Sequence, residues 1–409
     1  MHHTLLMNYP ESLSVIFGDK IIGMKNFEFY NPVRILFGKG TIARIPEFLP
    51  SGVPVLFVYG GGSIKANGVY DQVIKALHGT EFYEFSGVQP NPQYEQLMPA
   101  LDIIRTKNIG FILAVGGGSV IDGSKFIAAA ARYKGEDPWD ILLKGDPVTD
   151  AIPIGTVLTL PATGTEMNGN SVVTRVALKQ KLAFGSSKVM PLFSVLDPEV
   201  TYSLPKNQIA NGVIDAFVHV IEQYLTYPSQ AEVQDRFAES LLMILKDTGS
   251  KVYAAASPNY NDHANFVWAA TNALNTAISM GVVNDWSTHT IGHELTVLKG
   301  WDHAVTLAIV LPGVLEHAGM LRKEKMLQYA ERIWGITSFD HEAVIKESIR
   351  YTEQFFRCLG VKTRLSEYGV GEEIIKPVVE SLKSRGLNYL GRSRDVTVDD
   401  VESILRSRL

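Results

Sequence analysis

The sequence of 409 residues is long enough for two domains, because one hydrophobic core seldom supports so many residues. Its hydrophobic fraction of 46% is that of a globular protein, and its formal net charge of -5 excludes a broad basic surface for nucleic acid. Apolar runs end before they reach the roughly 18 to 20 residues of a membrane-spanning helix, so we expect no membrane insertion. The one cysteine, Cys358, cannot form an internal disulfide, and we expect a buried thiol in a cytoplasmic protein.

The first 24 residues have neither a basic start nor a small-residue cleavage site, so they do not resemble a signal peptide. Because Met24 stands just before a strongly patterned segment, we interpret residues 1–24 as an extension without a functional part. From there to about residue 204, short apolar runs alternate with amphipathic stretches, which is typical of βαβ units around a parallel sheet. The runs are rich in β-branched or aromatic residues and cover 55–59, 111–115, 154–160 and 193–196.

The pattern changes at Pro205, which suits the first turn of a helix because its missing N–H would have no partner there. Segments with a period of 3.6 residues follow, with hardly a strand candidate among them. They include 231–246, 264–280, 323–334 and 341–359. The sequence therefore predicts an α/β domain over residues 25–204 and an all-α domain over residues 205–409.

Three loops rich in glycine, serine or threonine follow three of the predicted strands. A strand that opens through glycines into a helix lets backbone N–H groups approach an anion, and the helix dipole favours a pyrophosphate there. Each loop alone is also compatible with an ordinary tight turn, but three at one edge of a parallel sheet indicate a dinucleotide site. The candidate cofactor-binding residues are Gly60, Gly61, Ser63, Gly116, Gly117, Gly118, Ser119, Asp122, Thr159 and Thr163.

The loop from Gly60 to Ser63 carries no acidic side chain. Dinucleotide enzymes that select the unphosphorylated ribose usually place Asp or Glu after the second strand, where it would repel a 2′-phosphate. Small residues leave room for that phosphate, and Lys65 is close enough in sequence to add a positive charge. We therefore expect NADP(H) to be preferred over NAD(H). The alternative is a plain glycine turn in an enzyme that uses both.

Polar side chains that suit a divalent metal are concentrated in the helical half. Asp215 and His219 are four residues apart, so on a helix they project from the same face. His289, His293 and His303 lie within fifteen residues of one another. One carboxylate and two or three imidazoles suit Fe²⁺ or Zn²⁺.

The alternative for the first pair is a solvated helix stripe, because Gln208, Asn211 and Glu222 continue the same polar line. For the three histidines the alternative is that each is an ordinary core or surface residue. The joint set favours a site, because the residues around it, such as Ile291 and Leu295, are apolar and a buried imidazole without a partner is costly.

At this point the sequence resembles the iron-containing, or group III, alcohol dehydrogenase family, from about Lys25 to the C-terminus. The marks, in order, are RILFGKG from Arg34, GGGSVIDGSKF from Gly116, TLPATGTE from Thr159, LDPEVTYSLP from Leu196, ANGVIDAFVHVIEQY from Ala210, and H-x3-H-E from His289 with a further histidine at 303. Within the family the loops resemble those of the butanol dehydrogenase and NADPH-dependent aldehyde reductase branch. Many other members have a longer PTTAGTGSE loop and an Asp where Gly60 stands.

The resemblance implies a Rossmann-like N-terminal domain, a helical metal-binding and catalytic domain and a homodimer. It implies that Asp215, His219, His289 and His303 hold the metal. It places His293 near the nicotinamide as a proton-relay candidate and Lys181 at the ribose and nicotinamide end of the cofactor.

The resulting hypothesis is a metal-dependent alcohol dehydrogenase or aldehyde reductase that acts on a small alcohol or aldehyde with NADP(H). The alternatives are a dehydroquinate-synthase-like or glycerol-dehydrogenase-like enzyme of the same superfold, or a non-catalytic scaffold. A dehydroquinate-synthase-like site needs several basic residues for its substrate, whereas residues 285–303 offer only Lys299.

Overall fold

The computed structural model describes residues 23–409, so most of the expected extension, residues 1–24, lies outside the described residues. The described chain divides into two compact units, Tyr30–Leu204 and Pro205–Leu409, and residues 23–29 group with the second. Lys25 donates its backbone N–H to the carbonyl of Gly281, at 2.9 Å, which ties this segment to the helical unit. The sequence pattern had placed residues 25–29 with the α/β part, and the contacts place them elsewhere.

The first unit is built on a six-stranded parallel sheet, as the sequence predicts, with the strand order β1-β8-β5-β4-β2-β3. Its strands are β1 (Arg34–Phe37), β2 (Val55–Tyr59), β3 (Phe82–Phe85), β4 (Phe111–Gly117), β5 (Ile154–Leu160) and β8 (Phe193–Leu196). A separate antiparallel pair, not expected from the sequence, consists of β6 (Asn170–Arg175) and β7 (Gln180–Gly185).

The central strands form because their side chains are apolar on both faces. Every residue of β2 is buried, as are the first six of β4, which is the pattern of a parallel strand covered by helices on both sides. After β2 the chain moves outward to β3 and then returns to the other side of β2 as β4. The order therefore reverses between β2 and β4, and open α/β sheets bind ligands at the carboxyl ends of the strands beside such a point.

Short helices connect the strands of this unit. They are α1 (Ser63–Ala66), α2 (Val69–Ala76), α3 (Tyr94–Leu97), α4 (Pro99–Thr106), α5 (Gly118–Ala130) and α6 (Asp140–Leu143). The buried core of the unit includes Phe57, Phe111 and Phe193 from three strands of the sheet.

The second unit is helical, as predicted, and its strands among the described residues are limited to the two-residue pair β9 (Tyr389–Leu390) and β10 (Val396–Thr397). Its helices are α7 (Lys206–Tyr224), α8 (Glu232–Ala254), α9 (Tyr260–Ala273), α10 (Ser287–Lys299), α11 (His303–Ala318), α12 (Lys323–Tyr329), α13 (His341–Cys358), α14 (Ile375–Ser384) and α15 (Asp400–Arg406). A π-helical turn, Ala330–Trp334, extends α12.

Two features of the second unit differ from expectation. The helix predicted over 264–280 ends at Ala273, and Asn275 then accepts a hydrogen bond from the N–H of Ala277 in a short turn. Cys358 is exposed rather than buried, since it lies on the outer side at the end of α13. Across residues 23–409 we find no helix with the length and apolarity that crossing a membrane requires.

Candidate functional site

The polar face of α7 is buried. Asp215 and His219 are each 4% exposed, and the Oδ1 atom of Asp215 lies 3.7 Å from Nδ1 of His219. Glu222, one turn further along the same face, is 2% exposed. The alternative of a solvated stripe is therefore wrong for these three residues.

Helix α10 brings His289 to the same place. The potential ligand atoms of Asp215, His219 and His289 all lie within 4.8 Å of one another, and all three residues are buried. The rings of His219 and His289 are nearly parallel, with centroids 4.6 Å apart. Three residues from two helices thus converge as the spacing in the sequence suggests.

His303 and His293 complete the group. His303 is the first residue of α11, and its Nε2 atom lies 3.9 Å from Oδ1 of Asp215, although His303 is not one of the three residues whose ligand atoms all lie within 4.8 Å of one another. His293 lies one turn after His289 on α10 and is half-buried. Its ring centroid is 5.1 Å from that of His303 and 6.4 Å from that of His289.

The sequence did not single out Glu222, which orients His289. Its carboxylate accepts hydrogen bonds from the N–H groups of Thr288, at 2.6 Å, and His289, at 3.3 Å, and also contacts Nδ1 of the His289 ring. Burial raises the pKa of Glu222 to about 8, while the two N–H donors act in the opposite direction. Because Nδ1 faces this carboxylate, Nε2 is the ring nitrogen directed away from it. In the sequence, the feature that could have revealed Glu222 is its spacing of three residues from His219, which places both on one face of the helix.

A second buried carboxylate holds the start of α10. Asp285 accepts hydrogen bonds from the hydroxyl of Ser287, at 2.6 Å, and the guanidinium of Arg322, at 2.8 Å. Arg322 also donates to Asp395, at 2.7 Å, and the side chains of all three residues of this ion-pair cluster are at most 5% exposed. Glu222 and Asp285 therefore both hold the first turn of α10, which carries His289.

The donor set suits a borderline divalent metal. Asp215 offers a carboxylate oxygen, His219, His289 and His303 offer imidazole nitrogens, and His289 has the carboxylate partner that metal-binding histidines usually have. The buried geometry of the three central residues fits Fe²⁺ or Zn²⁺.

The glycine loops of the first unit lie side by side. Tyr59 at the end of β2 pairs with Val115 of β4, and Gly117 pairs with Leu160 at the end of β5, so the three carboxyl ends share one edge. A Cβ atom at Gly118 would lie 2.7 Å from the hydroxyl oxygen of Thr163, so only glycine allows these two loops to pack so closely. A Cβ at Gly61, in contrast, would meet no atom within 4 Å.

Asn91, a loop residue absent from the sequence prediction, connects two of the predicted cofactor residues. Its N–H donates to the hydroxyl oxygen of Ser119, at 3.2 Å, and its side-chain oxygen accepts from Nζ of Lys181, at 2.8 Å. Thr159 belongs to the last part of β5, and Ser63 begins α1. The backbone groups and side chains of the three loops fit the dinucleotide phosphates and ribose expected there.

Asp122 is placed differently from the other predicted cofactor residues. Its carboxylate accepts hydrogen bonds from the hydroxyl of Thr165, at 2.6 Å, and from the N–H of Val172, at 3.0 Å. Thr165 lies in the loop after β5, and Val172 lies in β6. Asp122 therefore holds both the loop and β6 against α5.

The comparisons with known proteins agree with this architecture. The profile described as iron-containing alcohol dehydrogenase matches residues 32–198, and the profile of the C-terminal part of the Fe-containing alcohol dehydrogenase family matches residues 209–409. The chain belongs to the iron-containing alcohol dehydrogenase family and is an oxidoreductase of the alcohol dehydrogenase and aldehyde reductase class.

Relatives narrow the branch. The chain is 50% identical to the NADPH-dependent aldehyde reductase YqhD of Escherichia coli, over 92% of this chain and 97% of that protein. It is 40% identical to the probable NADH-dependent butanol dehydrogenase 1 of Bacillus subtilis, over 94% of this chain and 100% of that protein.

Solved structures show the same likeness. The crystal structure of YqhD superposes with a TM-score of 0.93 at 49% identity, covering 95% of this chain and 100% of that one. NADH-dependent butanol dehydrogenase A of Thermotoga maritima superposes with a TM-score of 0.90 at 36% identity, covering 95% and 99%. The predicted family and branch are confirmed, and these matches favour a dehydrogenase over a lyase.

Proposed function

We propose that this enzyme reduces small aldehydes to primary alcohols, or runs the reverse reaction, with NADP(H) and one divalent metal, Fe²⁺ or Zn²⁺. The observation that carries the proposal is the convergence of Asp215, His219 and His289, whose ligand atoms lie within 4.8 Å of one another in a buried site. One carboxylate and two imidazoles that converge in a buried site are a typical donor set for a divalent cation such as Fe²⁺ or Zn²⁺.

In this proposal the metal is held by the three central residues together with His303. When bound, a metal supplies Lewis acidity toward the substrate oxygen and the nicotinamide supplies the hydride. Glu222 fixes the orientation of the His289 ring, and the Arg322 cluster fixes the turn that carries it.

His293 is the proposed proton relay. It is half-buried, whereas His219 and His289 are buried, so its ring can exchange protons with water while it remains next to the metal ligands. Its ring centroid lies 5.1 Å from that of His303. An imidazole is suited to this role because its ordinary pKa, about 6.5, is near working pH.

The preference for NADP(H) rests on the loop after β2. No side chain of that loop is acidic, and the space at Gly61 is open. Nearby, Glu84 accepts hydrogen bonds from the phenols of Tyr59, at 2.6 Å, and Tyr70, at 2.9 Å, so its charge is already engaged. Nζ of Lys65 lies 4.6 Å from the centre of the Tyr70 ring, on the helix that follows the loop. A 2′-phosphate would therefore meet no acidic side chain in the loop itself, and Lys65 is the nearby positive charge that could attract it.

The names of the relatives support both nucleotides, since YqhD is called NADPH-dependent and several butanol dehydrogenases are called NADH-dependent. A homodimer and a cytoplasmic location are further proposals, which derive from the family resemblance and from the sequence.

A panel of aliphatic aldehydes, assayed with NADPH and with NADH on protein reconstituted separately with Fe²⁺ and Zn²⁺, tests the proposal. We expect NADPH oxidation with at least one small aldehyde, and a higher kcat/KM for NADPH than for NADH. Turnover of no aldehyde with either metal would contradict the activity, and a preference for NADH would contradict only the cofactor assignment.

A further inference from the structure

Lys125, on α5, is a fully buried cation inside a cage of oxygen atoms. Its side chain is 0% exposed. Its Nζ atom donates to the carbonyl and hydroxyl oxygens of Thr165, both at 2.7 Å, and to the carbonyl of Asn170, at 2.8 Å. It also contacts the carbonyl and side-chain oxygens of Asn168, at 2.8 and 3.2 Å. Five acceptors thus share the three hydrogens of one ammonium group.

All five oxygens belong to the segment after β5, residues 161–170. This segment contains no long helix or strand to hold it, and Gly164 takes a left-handed conformation with φ of 59°. Backbone carbonyls that point inward need a donor, because a buried carbonyl without one costs free energy. Lys125 supplies that donor for Thr165, Asn168 and Asn170, so this one side chain joins three residues of the segment. Asp122 and Ser194 each hold one further point.

The same segment forms one wall of the dinucleotide loops. Its Thr163 is the residue that packs against Gly118, the first residue of α5. Asp122 lies one turn before Lys125. The hydroxyl of Thr165 accepts a hydrogen bond from Lys125 and donates one to Asp122. Helix α5 therefore begins at the glycine loop and, two turns later, fixes the shape of the loop opposite. Any shift of residues 161–170 would move Thr163 relative to Gly118.

We propose that Lys125 is a positioning residue that holds residues 161–170 in the conformation that receives the dinucleotide. In this role the ammonium, which is fully buried, holds the loop and is not itself a cofactor ligand. The link to cofactor binding rests on the proposed function of these loops, whereas the effect on loop order does not. Asp122 and Glu166 interact electrostatically with the lysine, so a neutral replacement also removes a favourable charge from two acidic side chains, of which Glu166 is fully buried.

The test is Lys125→Met, which keeps the length and apolar stem of the side chain and removes the charge and the donors. We expect the Kd for NADPH, measured by quenching of protein fluorescence, to rise by at least about tenfold, since several acceptors lose their donor together. We expect kcat at saturating NADPH and the metal content of the folded protein to stay within about threefold, because the metal ligands lie on other helices. Amide hydrogen exchange in residues 161–170 should become faster.

Ser124→Ala is the matched control, because Ser124 is a buried neighbour on the same helix whose hydroxyl donates to the carbonyl of Val120 within that helix. It should leave the Kd and the exchange of residues 161–170 close to the wild-type values. If Lys125→Met does not fold, Asn168→Ala removes one acceptor of the cage, and we expect it to raise the Kd in the same direction but by less.

Unchanged exchange in residues 161–170 of a folded Lys125→Met variant would overturn the proposal. Faster exchange with an unchanged Kd would overturn the link between the cage and the cofactor. A wild-type protein that binds no NADPH would contradict the proposed function instead, while the exchange experiment would still decide the role of the lysine.

Discussion

Replacing Glu222 with glutamine should weaken metal binding without removing any metal ligand. The Glu222 side chain accepts from two backbone N–H groups and contacts Nδ1 of His289. A His289 ring that binds a metal through Nε2 carries its proton on Nδ1 and donates it to this carboxylate. Glutamine offers one acceptor oxygen and one donor NH₂ group. If its oxygen faces Thr288, its NH₂ group faces His289, and the imidazole must accept at Nδ1 and carry its proton on Nε2. That tautomer cannot bind a metal through Nε2.

The expected magnitude is that of losing the partner of a metal-binding histidine, about 10- to 100-fold in metal affinity. This corresponds to about 1.4 to 2.8 kcal/mol. The assay is competition for Zn²⁺ with a chelator of known affinity, with circular dichroism to confirm the fold. Gln208→Ala, on the same helix and away from the cluster, is the control and should leave the affinity unchanged. A Glu222→Gln variant that binds Zn²⁺ within about threefold of the wild type would refute this account of His289.

Three other predictions concern the metal ligands, the cofactor and stability. Replacing His219 with alanine should remove the metal and nearly all turnover, whereas replacing His293 should leave the metal in place and slow turnover. Equal metal loss in the two variants, measured by elemental analysis, would count against His219 as a ligand and His293 as a relay. Gly61→Asp should lower the ratio of kcat/KM for NADPH to kcat/KM for NADH by at least about tenfold, because the new carboxylate repels the 2′-phosphate. An unchanged ratio would show that the loop does not contact the phosphate. This position is a better test than Gly60, where a Cβ would approach a backbone carbonyl at 3.3 Å. Arg322→Met should lower the free energy of unfolding in urea by about 3 to 5 kcal/mol, because the buried carboxylates of Asp285 and Asp395 lose their cation. A loss below about 1 kcal/mol would be inconsistent with that burial.

The sequence predicted the interior of the sheet better than its edges. β2, β4, β5 and β8 are mostly apolar and mostly buried, which marks strands covered on both faces. β3, at the edge of the sheet, has the sequence FYEF and no fully buried residue, so its pattern carries little signal. The pair β6 and β7 is likewise only partly buried.

The candidate metal site shows what helical spacing can and cannot predict. The spacing of Asp215 and His219 fixes that they share a face of α7, but the same spacing is found on solvated helices. Whether that face is buried depends on α10, which is more than 60 residues away along the chain and supplies His289. For this reason the sequence left open a solvated stripe that included Glu222, whereas Glu222 is 2% exposed in the structure.

Chelator-stripped protein provides the most direct test of the central claim, that a divalent metal held by Asp215 and the histidines supports carbonyl reduction. NADPH oxidation with a small aldehyde would be measured before stripping, after stripping, and after addition of Fe²⁺ or Zn²⁺. We predict that stripping abolishes turnover and that at least one of the two metals restores it in the wild type but not in His219→Ala. Full activity in protein shown by elemental analysis to be free of metal would contradict the account.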